Sequence, residues 1–205
     1  MITEMKKIAL GTMISLLAFS ANAGVIKIYD SADPLTSLDD AQDVIDAASA
    51  PDLVAETDYV WFSDSGTNPY GDGVGMPFPG GFDHTFVMEI TGLIDTNNYS
   101  KLYLGHDDGL SISVGDTVIY EYGALTDFRA SGEILLGAAA GMQMLHGLYY
   151  ENAGEADLFL WGYRRINNTW ERARIHAVSE PATLALFGIG LVGLGMTRRR
   201  RTQIK

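Results

Sequence analysis

Between His84 and His176 the sequence switches repeatedly between short runs of β-branched, aromatic and aliphatic residues and clusters of Gly, Asp, Asn and Thr. That rhythm constrains the fold more than any other feature. The runs fall at 85–91, 101–105, 110–114, 118–122, 133–136, 142–150, 157–163 and 170–176. Turn residues part them at intervals of roughly 8–12 residues, the spacing of a sandwich or barrel. Polar and apolar residues alternate through Met142-Gln143-Met144-Leu145-His146 and again through Asp157-Leu158-Phe159-Leu160-Trp161, so one strand face packs while the other meets water. Upstream, 25–29 and 59–62 read as two more short strands, and the Gly/Pro-rich stretch 63–83 reads as loop. No Lys-Ser/Thr follows its glycines, which argues against a phosphate loop. One helix is expected, with Ser37 as N-cap, Asp39 and Asp40 in the first turn, and Ala41, Val44, Ile45 and Ala48 at helical spacing. It should run to about Ala50, where Pro51 stops it. The fold class is therefore mainly β: an antiparallel, jelly-roll-like β-sandwich with one short helix on its N-terminal side.

The two ends are of a different kind. Lys6 and Lys7 precede an apolar stretch of roughly 12 residues, and Ala21-Asn22-Ala23 then offers the small-x-small pattern of a signal peptidase site. The stretch is short for a membrane span, so a cleaved signal peptide at 1–23 is expected, with the cut between Ala23 and Gly24. A sandwich domain then occupies 24–178, and a tail occupies 179–205. Without its end segments the chain holds 24 acidic residues against 7 basic ones, a net charge near −17. Such a surface repels phosphate backbones, which speaks against nucleic acid as a partner, and it attracts cations. There is no cysteine. An exported chain without disulfides holds together by its core, and thiol catalysis, zinc–thiolate sites and iron–sulfur clusters are excluded.

The tail carries no charge from Pro181 to Met196. As a helix those 16 residues span roughly 24 Å, short of the ~30 Å hydrocarbon core, and four glycines weaken insertion further. Arg198, Arg199, Arg200 and Arg201 follow and would hold the cytoplasmic end. A marginal, oriented transmembrane helix suits temporary retention. Ser179-Glu180-Pro181, the Gly-rich apolar stretch and the arginine cluster together resemble the PEP-CTERM sorting signal, with Ser179 in place of the motif's first proline. The resemblance implies a substrate of exosortase. Such a protein is exported, anchored transiently in the inner membrane and cut near the motif, then passed to the cell surface or extracellular matrix.

Two central blocks carry a second resemblance. Leu102-Tyr103-Leu104-Gly105-His106-Asp107-Asp108-Gly109-Leu110 places paired aspartates at a corner between strands. Later, a Gly-rich corner feeds a long strand, a polar turn follows at Glu151 to Glu155, and a further strand ends in Trp161-Gly162-Tyr163. In this order the blocks resemble the fibro-slime domain and the lectin-like β-sandwich of protective antigen and fungal adhesins. The resemblance implies that Asp107 and Asp108 hold calcium, the one cofactor suggested, and that calcium orients sugar hydroxyls. Adjacent carboxylates suit a cation that takes six to eight oxygens. The residues alone leave a second reading open, in which both side chains bond backbone N–H groups within a tight turn. His106 beside them could join a metal site; His84, His146 and His176 are scattered.

No Gly-x-Ser-x-Gly elbow and no His-Glu-x-x-His occurs, and no two carboxylates stand out as a hydrolytic pair. The expected function is a non-enzymatic, adhesin- or lectin-like surface protein associated with exopolysaccharide or other glycans. A secreted polysaccharide-acting enzyme and a purely structural envelope protein are the alternatives.

Overall fold

The computed structural model describes residues 23–64, 75–81, 84–137 and 141–178. The expected signal-peptide helix lies outside the described residues. So do the transmembrane helix, Ser179, Glu180, Pro181, and Arg198, Arg199, Arg200 and Arg201. Among the described residues no helix is long and apolar enough to cross a membrane.

Among the described residues eleven strands form two antiparallel sheets: β1 (Gly24–Asp30), β2 (Leu53–Thr57), β3 (Trp61–Ser63), β4 (Phe86–Asp95), β5 (Tyr99–Asp107), β6 (Gly109–Val114), β7 (Thr117–Tyr122), β8 (Arg129–Leu135), β9 (Met142–Glu151), β10 (Asp157–Arg164) and β11 (Trp170–Arg172). The first sheet runs β2-β1-β4-β9-β6-β7; the second runs β11-β10-β5-β8, with β3 also on β10. The described chain is thus the expected mainly β sandwich.

Alternation makes the sandwich. Along β4, Phe86, Met88, Ile90 and Ile94 are fully buried, and along β5 so is Leu102, with Leu104 nearly so. They meet Ile26, Ile28, Leu145, Leu158 and Leu160 in one core between the sheets. The outer face of the first sheet is closed at one end by α1 (Leu38–Ala47). Ser37 caps that helix, its hydroxyl accepting the Asp40 N–H, and Ala41 packs with Tyr29, Val87 and Tyr150. Covering both faces explains why β9, half-exposed at its start, ends in three buried residues, Tyr149, Tyr150 and Glu151.

The helix stops earlier than Pro51 requires. Ala48 is already extended and gives its N–H to the Val44 and Ile45 carbonyls, because the chain must turn back to lay β2 beside β1. β2 itself is absent from the sequence reading. Ala55 and Glu56 have low strand propensity, and the strand forms as an edge partner of β1. The last expected run shortens to Trp170–Arg172, continued only by isolated bridges from Arg174 to Tyr59 and from His176 to Leu93.

Candidate metal centre

β5 ends in the second sheet on Asp107, and β6 starts in the first sheet on Gly109. Asp108 is the single residue between them, so the aspartate pair sits where the chain changes sheets; the peptide joining the two is cis. Gly109 lies against Tyr150 in the β6–β9 ladder, and a Cβ there would stand 2.0 Å from the Tyr150 ring. That close passage brings Asp108 beside Glu151, the last residue of β9. One ligand oxygen each from Asp107, Asp108 and Glu151 lies within 4.8 Å of the other two.

Asp108 does more than close a turn. Its Oδ1 accepts the Thr126 N–H at 2.8 Å and its Oδ2 the Asn152 N–H at 3.1 Å. These donors belong to two separate loops, β7–β8 and β9–β10, which the buried carboxylate ties together. Asn152 in turn accepts the Leu35 N–H at 2.7 Å, anchoring the approach to α1. Glu151 accepts the Ala153 N–H at 3.0 Å and the Tyr149 hydroxyl at 3.2 Å. The Tyr149 hydroxyl also donates to the Asp107 carbonyl. The open cleft in front holds about 680 Å³, lined by residues of both loops including Thr126, Phe128, Asn152 and Gly154.

The electrostatics are unfavourable without a cation. Burial, then Asp108, Asp157, Asp127 and Asp64, pushes the Asp107 carboxyl up to about 7. Burial, then Asp108 and Asp107, pushes Glu151 to about 8, against the lowering effect of its Ala153 and Tyr149 hydrogen bonds. Asp157, opposite Asp107 in the β5–β10 ladder, is raised to about 6 by burial, Asp64 and Glu155. Its Oδ1 is buried without a hydrogen-bond partner. Oxygen-only donors, mutual repulsion and an orphaned buried oxygen nearby fit a hard divalent cation such as Ca²⁺. The ligands still needed are left to carbonyls, water or hydroxyls of a bound molecule.

The backbone N–H groups that the second reading expected within a tight turn are, for Asp108, those of Thr126 and Asn152 in two distant loops. His106 is not part of the group. It shares the strand parity of Leu102 and Leu104, points into the sandwich and is fully buried. One ring nitrogen contacts the Asp108 carbonyl and the other lies 2.6 Å from the Tyr120 hydroxyl. Burial, with Arg129 nearby, lowers its pKa, so the ring stays neutral. Glu151 was missed as a member, and Asp157 as a neighbour opposite Asp107. The available signal was a carboxylate at each end of the turn, where two strongly apolar strands stop.

The two-sheet antiparallel sandwich is a fold shared with solved structures. The chain is similar to the PA14 domain of the antifreeze protein MpAFP, with 12% identity and a TM-score of 0.59 over 77% of this chain and 92% of that one. It is similar to a PA14 sugar-binding domain from an RTX adhesin, with 16% identity and a TM-score of 0.56 over 78% of this chain and 100% of that one. It is also similar to the A domain of epithelial adhesin 9 from Candida glabrata, solved with Galβ1-3GlcNAc, with 8% identity and a TM-score of 0.50 over 78% and 91%. At such identities the likeness is one of fold. No curated protein matches the sequence. The chain carries a PEP-CTERM protein-sorting motif at residues 177–201, which takes in Ser179-Glu180-Pro181 and ends on Arg201.

Proposed function

We propose that this is an exported surface protein whose sandwich binds carbohydrate through a calcium ion held by Asp107, Asp108 and Glu151. The observation that carries the reading is the convergence of three carboxylate oxygens within 4.8 Å, two of them from Asp107 and Asp108, which line an open cleft, and the third from the buried Glu151. Protein ligands leave part of a calcium shell free, and vicinal sugar hydroxyls can complete it. Lectin-like and sugar-binding folds among the solved neighbours support a binding role over an enzymatic one.

Delivery follows from the ends. Signal peptidase releases Gly24 as the new N-terminus, which is also the first residue of β1. The tail holds the protein in the inner membrane with Arg198, Arg199, Arg200 and Arg201 inside, until exosortase cuts near Ser179-Glu180-Pro181. The body then passes to the cell surface or exopolysaccharide matrix. Mass spectrometry of the extracellular fraction should find a C-terminus close to Ser179; intact arginine tails on all of it would rule out processing.

The binding role is tested on a glycan array run in calcium, in magnesium at matched ionic strength and in chelator. Signal in calcium alone, lost in Asp107→Asn, is expected. Signal indifferent to chelator, or no signal on any glycan, would overturn the reading.

A further inference from the structure

Between Gly24 and Val178 there are only 7 lysines and arginines, yet four of them, Arg164, Arg165, Arg172 and Arg174, fall within the 11 residues 164–174. Three of the four line a cleft of about 570 Å³, together with Tyr59, Asn98 and His176. The cleft lies at the other end of the β5–β10 ladder from the carboxylates: Asp107 faces Asp157 at one end, and Tyr99 faces Arg164 seven residues along. At ~3.3 Å per residue the two ends are roughly 23 Å apart.

The guanidinium groups here keep unused donors. Arg164 Nε stands 3.5 Å from Glu171 Oε1 and is buried without a hydrogen-bond partner. That Glu171 oxygen already accepts the Tyr99 hydroxyl at 3.1 Å. Arg174 reaches Asp58 only at 3.6 Å. Arg172 lies over the Trp61 ring at 4.4 Å and makes no ion pair among the described residues. Glu171 and Asp58 are thus outnumbered by three guanidiniums, each a planar fork shaped for a carboxylate. Gly162 keeps the wall in place, since a Cβ there would stand 2.4 Å from the Tyr99 ring.

We infer that this cleft binds the carboxylate groups of an acidic polysaccharide, independently of any cation at Asp107, Asp108 and Glu151. Its volume suits one or two sugar rings. Tyr59 and Asn98 offer partners for sugar hydroxyls. A body of net charge near −17 repels any polyanion at long range, so binding here is carried by the guanidiniums at short range.

The test uses the full chain in detergent micelles, with Arg198 to Arg201 replaced by glutamine so the tail adds no charge, and with chelator present. Galacturonate oligosaccharides and neutral galactose oligosaccharides are titrated calorimetrically. The acidic series should bind and the neutral series should not. Arg172→Gln and the exposed Arg174→Gln should each weaken binding about tenfold, with melting curves showing both variants folded. Lys27→Gln, the same charge change in the other sheet, should leave it unchanged. Absence of binding in chelator, or an equal loss in Lys27→Gln, would overturn the inference. Chelator silences the carboxylate site, so the two proposals fail separately.

Discussion

At one end of the β5–β10 ladder Asp107 faces Asp157; at the other Tyr99 faces Arg164. Both ends use the same two strands, and they treat charge in opposite ways. At the arginine end each carboxylate has a cation within reach, Glu171 beside Arg164 and Asp58 beside Arg174. At the aspartate end Asp107, Asp108, Glu151 and Asp157 are wholly or partly buried together, with backbone and hydroxyl donors but no ion pair among the described residues. Burying like charges costs stability unless something neutralises them. The arginine end pairs both of its carboxylates and keeps one guanidinium in excess; the aspartate end gathers carboxylates with no cationic side chain paired to them among the described residues.

The largest effect that sharpens this contrast is expected from Asp108→Ala. Removing the carboxylate leaves the Thr126 and Asn152 N–H groups without their acceptor, at about 3 kcal/mol for the pair. Asp108→Asn keeps one acceptor oxygen of the two and should lose about half of that. Urea unfolding of both variants measures the difference, and an undiminished Asp108→Ala would show that the loops hold themselves.

Gly109→Ala should follow, at about 2 kcal/mol, because its methyl would sit 2.0 Å from the buried Tyr150 ring. The same displacement shifts Glu151 off Asp108, so cation binding should weaken with stability. Retained affinity in a destabilised Gly109→Ala would separate the packing from the site.

The third effect concerns pH. Asp107 and Glu151 have folded-state pKa values raised to about 7 and about 8. Raised carboxyls give stability that is fully present below their unfolded values, near 4, and lost as pH rises through the folded values. Without divalent cations the melting temperature should therefore fall between about pH 4 and about pH 8. Glu151→Gln should flatten that fall and stabilise the cation-free protein near pH 8, by about 1 kcal/mol after allowance for solvent screening, while weakening calcium binding. A melting temperature that rises over the same window would contradict the buried-carboxylate account.

The smallest effect belongs to the other end. Arg174 pairs with Asp58 at 3.6 Å with both side chains nearly half exposed, so Arg174→Gln should change stability by less than about 0.5 kcal/mol. A larger loss would mean that the arginine end is structural.

What the sequence made legible follows the same division. The positions of β4, β9 and β10 came through because runs of apolar residues bounded by turn residues are a local property, while their order in the sheets did not; β10, read as alternating, is buried on both faces along Asp157–Leu160. β2 escaped because an edge strand borrows its conformation from β1 instead of from its own Ala55 and Glu56. Asp107 and Asp108 were visible as neighbours in the chain. Glu151 was not, since its approach depends on the Gly109–Tyr150 pairing between strands far apart in sequence. His106 was misleading for the converse reason: adjacency to Asp107 in a strand places the two side chains on opposite faces. The arginine cleft required the ladder that separates it from the acids.

The central claim is that the aspartate end is a cation site with its protons in place, and a calorimetric calcium titration tests it most directly. At about pH 7 Asp107 and Glu151 retain protons that calcium must displace. Run on the full chain in buffers of differing ionisation heat, the titration should show release of about one proton or more per calcium bound. Magnesium should bind far more weakly, and Glu151→Gln should lose both affinity and part of the release. Heats that do not depend on the buffer, equal binding of both ions, or unchanged binding in Glu151→Gln would contradict the account.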